Sequence, residues 1–434
     1  MMLKKEQISI LQKNQKHKNK SQSPISFGLF FKLLYMKKIL FIATLFFSVA
    51  ILAQTDELKT LDRTFNLSSA PSQKDIDKVR VALTSLDGMV NNLSPEQKND
   101  YNFYKGIQPL MDIFVVAMKN PSDKTGIANV LTFNNLSVAA ENFDKVLDFE
   151  KNLSKKPHTE DINKDIVSFV KPLVLQKAYS LNTNSNFKDA ADFFYLAYKF
   201  DKNDGSNLEN AAILTVQTEN YKKAELLYEE FLNSDYLKNG IVYFATNKAT
   251  DKEENFPSVK ARLNATNIGT HEKPRDEKVS SKIPNIYKIY ASLVSSNGNV
   301  EKAKKVYKEA KEFNSDDLEL LTDEANLYYN SNDLDTYSKL IKELIEKDPS
   351  NATLQYKIGY LAIANDGKLV DEINNSLNDI TKYESLVLKR KESFKTALPY
   401  FEKAYSLDQS NVDYKTTLKA TYEVLGSKDK ADKL

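Results

Sequence analysis

The 434-residue chain has no cysteine and no tryptophan. The missing thiol excludes disulfides, thiol catalysis, cysteine-based zinc sites and a lipidated N-terminal cysteine. Eleven glycines and twelve prolines are few for this length. An all-β protein rich in tight turns needs more, so the shortage favours helices. Arginine occurs at five positions only, Arg63, Arg80, Arg262, Arg275 and Arg390. The formal net charge is +2, but nine lysines and one glutamate lie in residues 1–53. The remainder holds 52 basic and 58 acidic residues, a net of −6. A mildly acidic, arginine-poor body lacks the electrostatic footprint of a nucleic-acid binder. Hydrophobic residues at 41% and charged residues at 28% are enough to bury a core.

The one long apolar run is Ile39–Leu52, preceded by Met36-Lys37-Lys38 and followed by Ala53-Gln54. A short basic segment, a greasy core and a small residue at the end form a secretory leader, with cleavage expected after Ala53. Fourteen helical residues reach about 21 Å, short of the ~30 Å hydrocarbon core. An uncleaved anchor would need Phe27–Tyr35 as well, and Lys32, Lys37 and Lys38 interrupt that extension. Met36 reads as the start, with residues 1–35 an upstream extension. No membrane span is expected after cleavage.

Beyond the leader, small residues recur at a spacing of 34: Ala178 and Ala212, then Ala291, Ala325 and Gly359. A second set follows twelve residues after each: Ala190 and Ala224, Ala303 and Tyr337, and then Ala397 and Ala431 after a longer gap. Packed helices approach to ~8–10 Å only where the side chains at the crossing are small. Large residues stand four further on, at Phe194, Tyr228, Tyr307, Ile341 and Phe401, and a third position three beyond that keeps one helix face apolar. Asn297-Gly298-Asn299 and Ser331-Asn332-Asp333 supply the turns, and Asp348-Pro349 ends a helix.

This pattern resembles the tetratricopeptide repeat, a helix–turn–helix unit of 34 residues. It is carried by 186–201, 211–233, 286–313, 324–349, 353–364, 397–407 and 414–431, roughly half of the chain after the leader. Lys202, Ser315 and Gln409 replace the usual helix-ending proline, and Tyr337 replaces a small residue. The resemblance implies an all-α fold, a right-handed superhelical solenoid of antiparallel helix pairs. It is similar to exported repeat proteins of Gram-negative bacteria that carry an insertion between repeats.

The expected organisation is an extension and leader over 1–53, then a helical region over 54–172 holding one divergent repeat. In that repeat Tyr104-Lys105-Gly106 lies in the first helix, Ala139 and Phe143 in the second, and the loop 120–135 is widened. Two repeats occupy 173–233. An insertion follows over 234–284, with strands at 240–246 and 253–256, a short helix at 258–267 and a polar loop at 269–282. The last array fills 285–434, with an extra helix around 369–377 and a helix from Tyr383 that Pro399 should kink.

Catalytic motifs are missing: no glycine-rich phosphate loop, no nucleophile elbow, no His-Glu-x-x-His. His271 beside Glu272, Asp276 and Glu277 is the best metal candidate, but it lacks a partner histidine and helical ligand spacing and reads as a solvated loop. His158 reads as part of a linker. Lysine-rich stretches such as 302–311 read as solvated helix faces. No catalytic residue, metal or cofactor is expected.

In the resembled family the first helix of each pair lines a concave groove. That implies a groove built from Tyr179, Ile213, Lys288, Ser292, Asn326, Tyr329, Tyr356, Tyr360 and Ile363, with Lys288, Asn326, Tyr329, Tyr356 and Tyr360 as the binding residues. The three tyrosines would suit an extended peptide or a partner helix, unless they pack against neighbouring helices instead. Some members grip a C-terminal carboxylate with lysine and asparagine on successive first helices. Here Ser292 stands where an asparagine is needed and Thr322 where a lysine is, which disfavours that capture. The function implied is a non-enzymatic scaffold of the bacterial cell envelope that docks a protein partner. The alternative is an outer-membrane-associated glycan binder on the same repeats, although such proteins usually carry the lipidated cysteine and tryptophan platforms absent here.

Overall fold

The computed structural model describes residues 56–65, 72–120, 124–256 and 258–434. The leader at 36–53 and its cleavage point lie outside them. The chain forms two compact units, one ending at Ser281 and one starting at Lys282.

The first unit opens with α1 (Asp56–Phe65) and α2 (Gln73–Asp87). Next come α3 (Pro95–Lys119), α4 (Lys124–Val130) and α5 (Phe133–Glu150). Capping boxes at Ser72 and Ser94 start α2 and α3 by satisfying backbone N–H groups that the first turn leaves free. The loop expected at 120–135 holds α4, a short helix without apolar periodicity strong enough to announce it. Helices α6 (Val167–Thr183) and α7 (Phe187–Phe200) form one hairpin, and α8 (Ser206–Gln217) and α9 (Tyr221–Asn233) the next.

Five of the hairpins turn in one way. Ser185, Glu219, Gly298, Asn332 and Gly426 all have φ between 60° and 81°. Each lies five residues before the second small position of its hairpin, at Ala190, Ala224, Ala303, Tyr337 and Ala431. The left-handed residue reverses the chain, and the next residue's N–H reaches back to the first helix: Asn186 to Leu181, Asn299 to Val294, Asp333 to Tyr328 and Ser427 to Tyr422, at 2.8–3.3 Å. In four of the five turns that next residue then caps the second helix, the side chains of Asn186, Asn220, Asn299 and Asp333 accepting from a backbone N–H three residues on.

After α9 the short helix α10 (Asp235–Asn239) leads into three strands, β1 (Ile241–Asn247), β2 (Lys252–Phe256) and β3 (His271–Lys278), with α11 (Val259–Asn267) between the last two. They form an antiparallel sheet of order β2-β1-β3. The segment expected to be a polar loop over 269–282 is therefore largely strand. Its sequence, His-Glu-Lys-Pro-Arg-Asp-Glu-Lys, has no alternating apolar residues, because its long side chains are satisfied by charge pairing. Arg275 forks onto Glu253 at 2.6 and 2.7 Å and lies over the Phe244 ring. Pro274 is tolerated because β3 is an edge strand.

The second unit contains α12 (Ile283–Ser296) with α13 (Val300–Phe313), then α14 (Leu318–Asn330) with α15 (Leu334–Lys347). Helix α16 (Ala352–Ala362) pairs with α18 (Ile380–Leu407), and α17 (Asp366–Asn374) is inserted between them. Helix α18 continues through Pro399 as a single helix. The chain ends with α19 (Val412–Val424) and α20 (Lys428–Ala431). Helix exits repeat as closely as the turns do: Asp201, Asn314, Asp348 and Asp408 leave with φ from −133° to −155° and ψ from 77° to 90°. Lys202, Ser315 and Gln409 follow the same path as Pro349, so the extended exit does not depend on proline.

The 34-residue recurrence marks the crossings. Ala178, Ala190, Ala212, Ala224, Ala291, Ala303, Ala325 and Ala397 are all fully buried. Tyr337 is buried too, packed among Leu321, Ala325, Ile341 and Ile358. A Cβ on Gly359 would lie 2.8 Å from the Phe401 ring, and one on Gly106 2.6 Å from the Phe143 ring. In both hairpins the phenylalanine stands four residues after the small position of the second helix, so α3 with α5 repeats the geometry of α16 with α18. The helix pairs have the tetratricopeptide-repeat form.

Candidate functional site

Five residues of the second unit stand on first helices and were candidates for a groove: Lys288 on α12, Asn326 and Tyr329 on α14, and Tyr356 and Tyr360 on α16. Tyr329 and Tyr360 are each 55% exposed, and Asn326 is exposed. Tyr356 is different. Its ring lies 4.8 Å from Tyr414 and 5.6 Å from Phe401, and its hydroxyl is 3.1 Å from Thr417 Oγ1. It fills the seam between α16 and α19 and offers little to a ligand. Ile363 likewise packs beside the Ala397–Phe401 core. Ser292 is buried. In the first unit, Ile213 is buried and Tyr179 stands edge-on to Phe194 at 5.1 Å.

Lys288 is not free either. Its ammonium pairs with Asp317 at 3.3 Å and with Glu319, both at the start of α14. This bridge joins adjacent first helices, and it leaves an excess of negative charge, because Asp323 lies one turn beyond Glu319. Burial and the nearby Glu319 and Asp317 carboxylates push Asp323 up to about 6, against the opposing pull of Lys288. Among the described residues Asp323 receives no hydrogen bond. Its neighbours also include Tyr307 of α13, a buried ring whose hydroxyl hydrogen-bonds with Ser295. Glu319, Thr322, Asn326 and Tyr329 follow at helical spacing along one side of α14, whereas Asp323 stands about 120° round the helix from Tyr329.

Sequence reading missed this acidic end. The residues are plain in Asp316-Asp317-Leu318-Glu319 and Asp323, but acidic residues at a helix start are ordinary caps. What sets Asp323 apart is its burial, which depends on helices packed from elsewhere in the chain.

Both histidines of the described residues have structural partners. His271 Nε2 is 3.0 Å from Glu254 Oε2 and its Nδ1 is 2.9 Å from Thr270 Oγ1, with the ring edge-on to Phe256. The acids beside it in sequence are engaged elsewhere, Asp276 with Arg262 and Glu277 with Arg275. No group of three or more histidine, aspartate or glutamate residues among the described residues is arranged to hold a metal ion. His158, expected in a linker, is stacked on Phe103 at 4.0 Å and pairs with Asp100 at 2.8 Å. The segment is fastened by Glu150, which is fully buried and accepts from Asn99, the His158 and Thr159 amides and the Thr159 hydroxyl. A buried carboxylate with this many donors is satisfied, so it reads as an anchor and not as an acid–base group. No helix of the described residues is long and apolar enough to cross a membrane.

No family model and no curated protein matches the chain. Among solved structures it is similar to YrrB, described as a TPR protein with an unusual peptide-binding site, at 15% identity and a TM-score of 0.34, over 65% of this chain and 100% of that one. A MamA double mutant aligns at 13% identity and a TM-score of 0.32, over 55% and 95%. A tetratricopeptide repeat protein from Parabacteroides merdae aligns at 14% identity and a TM-score of 0.29, over 73% and 98%. At TM-scores this low the superpositions say nothing about a shared ligand.

Proposed function

We infer that the protein is a non-enzymatic scaffold of the bacterial cell envelope that binds a protein partner through the first-helix face of its second unit. The observation that carries this is the exposure of Tyr329 and Tyr360 on α14 and α16, whose other rings are drawn into the core or the helix seams. Exposed aromatic rings on a rigid helical frame bury much apolar area at little cost in side-chain entropy when a partner arrives. The envelope location rests on the leader at 36–53.

The test is site-specific photo-crosslinking in cells. A photoreactive residue in place of Tyr329 or Tyr360 should yield one discrete adduct with a protein partner. The same residue in place of Leu226, which is 64% exposed on α9 of the first unit, should not. Equal labelling at all three positions would refute a dedicated face.

A further inference from the structure

We propose that the insertion docks on the surface of an anionic lipid bilayer through the outer side of α11. This goes beyond the first-helix face of the second unit and does not depend on it. Helix α11 packs on β1, β2 and β3, but with its polarity reversed. It buries Arg262, whose guanidinium donates to the Arg275 carbonyl at 2.7 Å, pairs with Asp276 and lies over the Tyr243 ring. Its aliphatic side chains face solvent instead. Val259 and Leu263, one turn apart on one side, are 40% and 48% exposed, and Ile268 at the helix end is 75% exposed. A helix laid on a sheet ordinarily buries such residues and exposes its arginine.

The sheet sorts its charges by side. Strand register places Ile241, Tyr243 and Ala245 on the α11 side, with Lys252 and Glu254 of β2 and Asp276 and Lys278 of β3. Both acids there are engaged, Glu254 with His271 and Asp276 with Arg262. Lys252, Lys278 and Lys260 of α11 are exposed and have no ion-pair partner among the described residues. The other side gathers Glu253, Glu272 and Glu277, with Arg275 bonded to the first and last of them. Residues 234–284 hold nine basic and seven acidic side chains, a net of +2, which leaves −8 for the rest of a body whose total is −6. A basic, aliphatic side thus stands out from an acidic molecule.

Charge and shape together select the occupant. Unpaired lysines call for an anionic partner, and the exposed aliphatic residues call for one with an apolar interior within reach. A helix lying on a sheet is convex, which a bilayer accommodates and a protein could cover only with a matching groove. At a bilayer the aliphatic side chains would enter the boundary between headgroups and acyl chains while the lysines stay among the headgroup phosphates. The acidic remainder of the molecule is repelled by the same surface, so the α11 side is the one that docks. Nine helical residues reach only about 13 Å, so neither the lysines nor the aliphatic residues suffice alone.

Vesicle co-flotation at low salt tests the proposal with the chain from Gln54 onward, which contains every described residue and lacks the leader's own apolar run. Vesicles of equal parts phosphatidylglycerol and phosphatidylcholine should capture it about tenfold better than phosphatidylcholine alone. Lys252→Gln, Lys260→Gln and Lys278→Gln should each weaken capture by about fivefold. Lys342→Gln, Lys403→Gln and Lys415→Gln, on exposed helix positions of the second unit, should leave it unchanged. Val259→Ser with Leu263→Ser should weaken capture by about tenfold while the melting temperature stays at the parent's, because both residues are exposed. Equal capture by the two kinds of vesicle overturns the proposal, and so does capture that the α11 and lysine variants leave unchanged. No capture at millimolar lipid overturns it as well. If a photoreactive residue in place of Leu263 then yields one discrete protein adduct, the surface belongs to a protein partner instead.

Discussion

Asp323 opposes folding at neutral pH. Its ordinary value is 3.8, and burial together with Glu319 and Asp317 raises it to about 6 in the folded chain. A carboxyl that holds its proton more tightly when folded favours the folded state at low pH, and the advantage is lost as the pH climbs through the folded value. Above pH 6 the folded chain therefore carries a partly buried, ionised carboxylate beside two like charges. Asp323→Asn should raise stability at pH 7 by on the order of 1–3 kcal/mol and leave it nearly unchanged at pH 4. Urea unfolding at the two pH values measures this. An equal gain at both would point to packing and not to charge. Sequence could not single Asp323 out, because the largest cause of the shift is burial, which the nearby Glu319 and Asp317 do not reveal. The same holds for His158 and Glu150, which look like linker and helix surface in sequence and become a fastened, buried cluster once Asn99, Asp100 and Phe103 arrive from α3.

Hairpins were the most legible elements, since a 34-residue recurrence of alanine records a physical crossing every time it appears. Turns were half legible: the glycine of Asn297-Gly298-Asn299 announces a left-handed residue, whereas Ser185 and Glu219 do the same work without any such sign. A serine there is strained, because its Cβ crowds the backbone oxygen. Ser185→Gly should therefore stabilise by about 1 kcal/mol, and Asn332→Gly by less, since asparagine tolerates this conformation better. Thermal unfolding of the two variants would show the order, and a loss of stability in both would mean the turn relaxes elsewhere. Strand β3 was not legible at all. Its pairing is written in cross-strand charge, Arg275 with Glu253 and His271 with Glu254, and such pairs lack the two-residue apolar rhythm that marks a strand. Helix α4 was hidden for a different reason, being seven residues long with a glycine inside.

For the whole molecule, charge and processing are linked. Nine lysines sit in residues 1–53, and removing them turns a chain of formal charge +2 into one of −6. If the leader is cut after Ala53, the secreted form should begin at Gln54 and migrate as an acidic protein. Intact-mass measurement on the envelope fraction checks both points. A mass that includes Met36–Ala53 would instead indicate a retained anchor.

The two hairpins with glycine at the crossing are also the two whose helices are joined by long connectors, 120–132 around α4 and 363–379 around α17. In five other hairpins of the described residues a tight left-handed turn aligns the pair. In these two, a phenylalanine ring seated against bare backbone does so, at Gly106 with Phe143 and at Gly359 with Phe401. The clasp is made within the helices and not at the connector, so what links their ends is free to lengthen. Evolution could thus insert new material at those two junctions without loosening the frame, and α4 and α17 mark where it has room to grow.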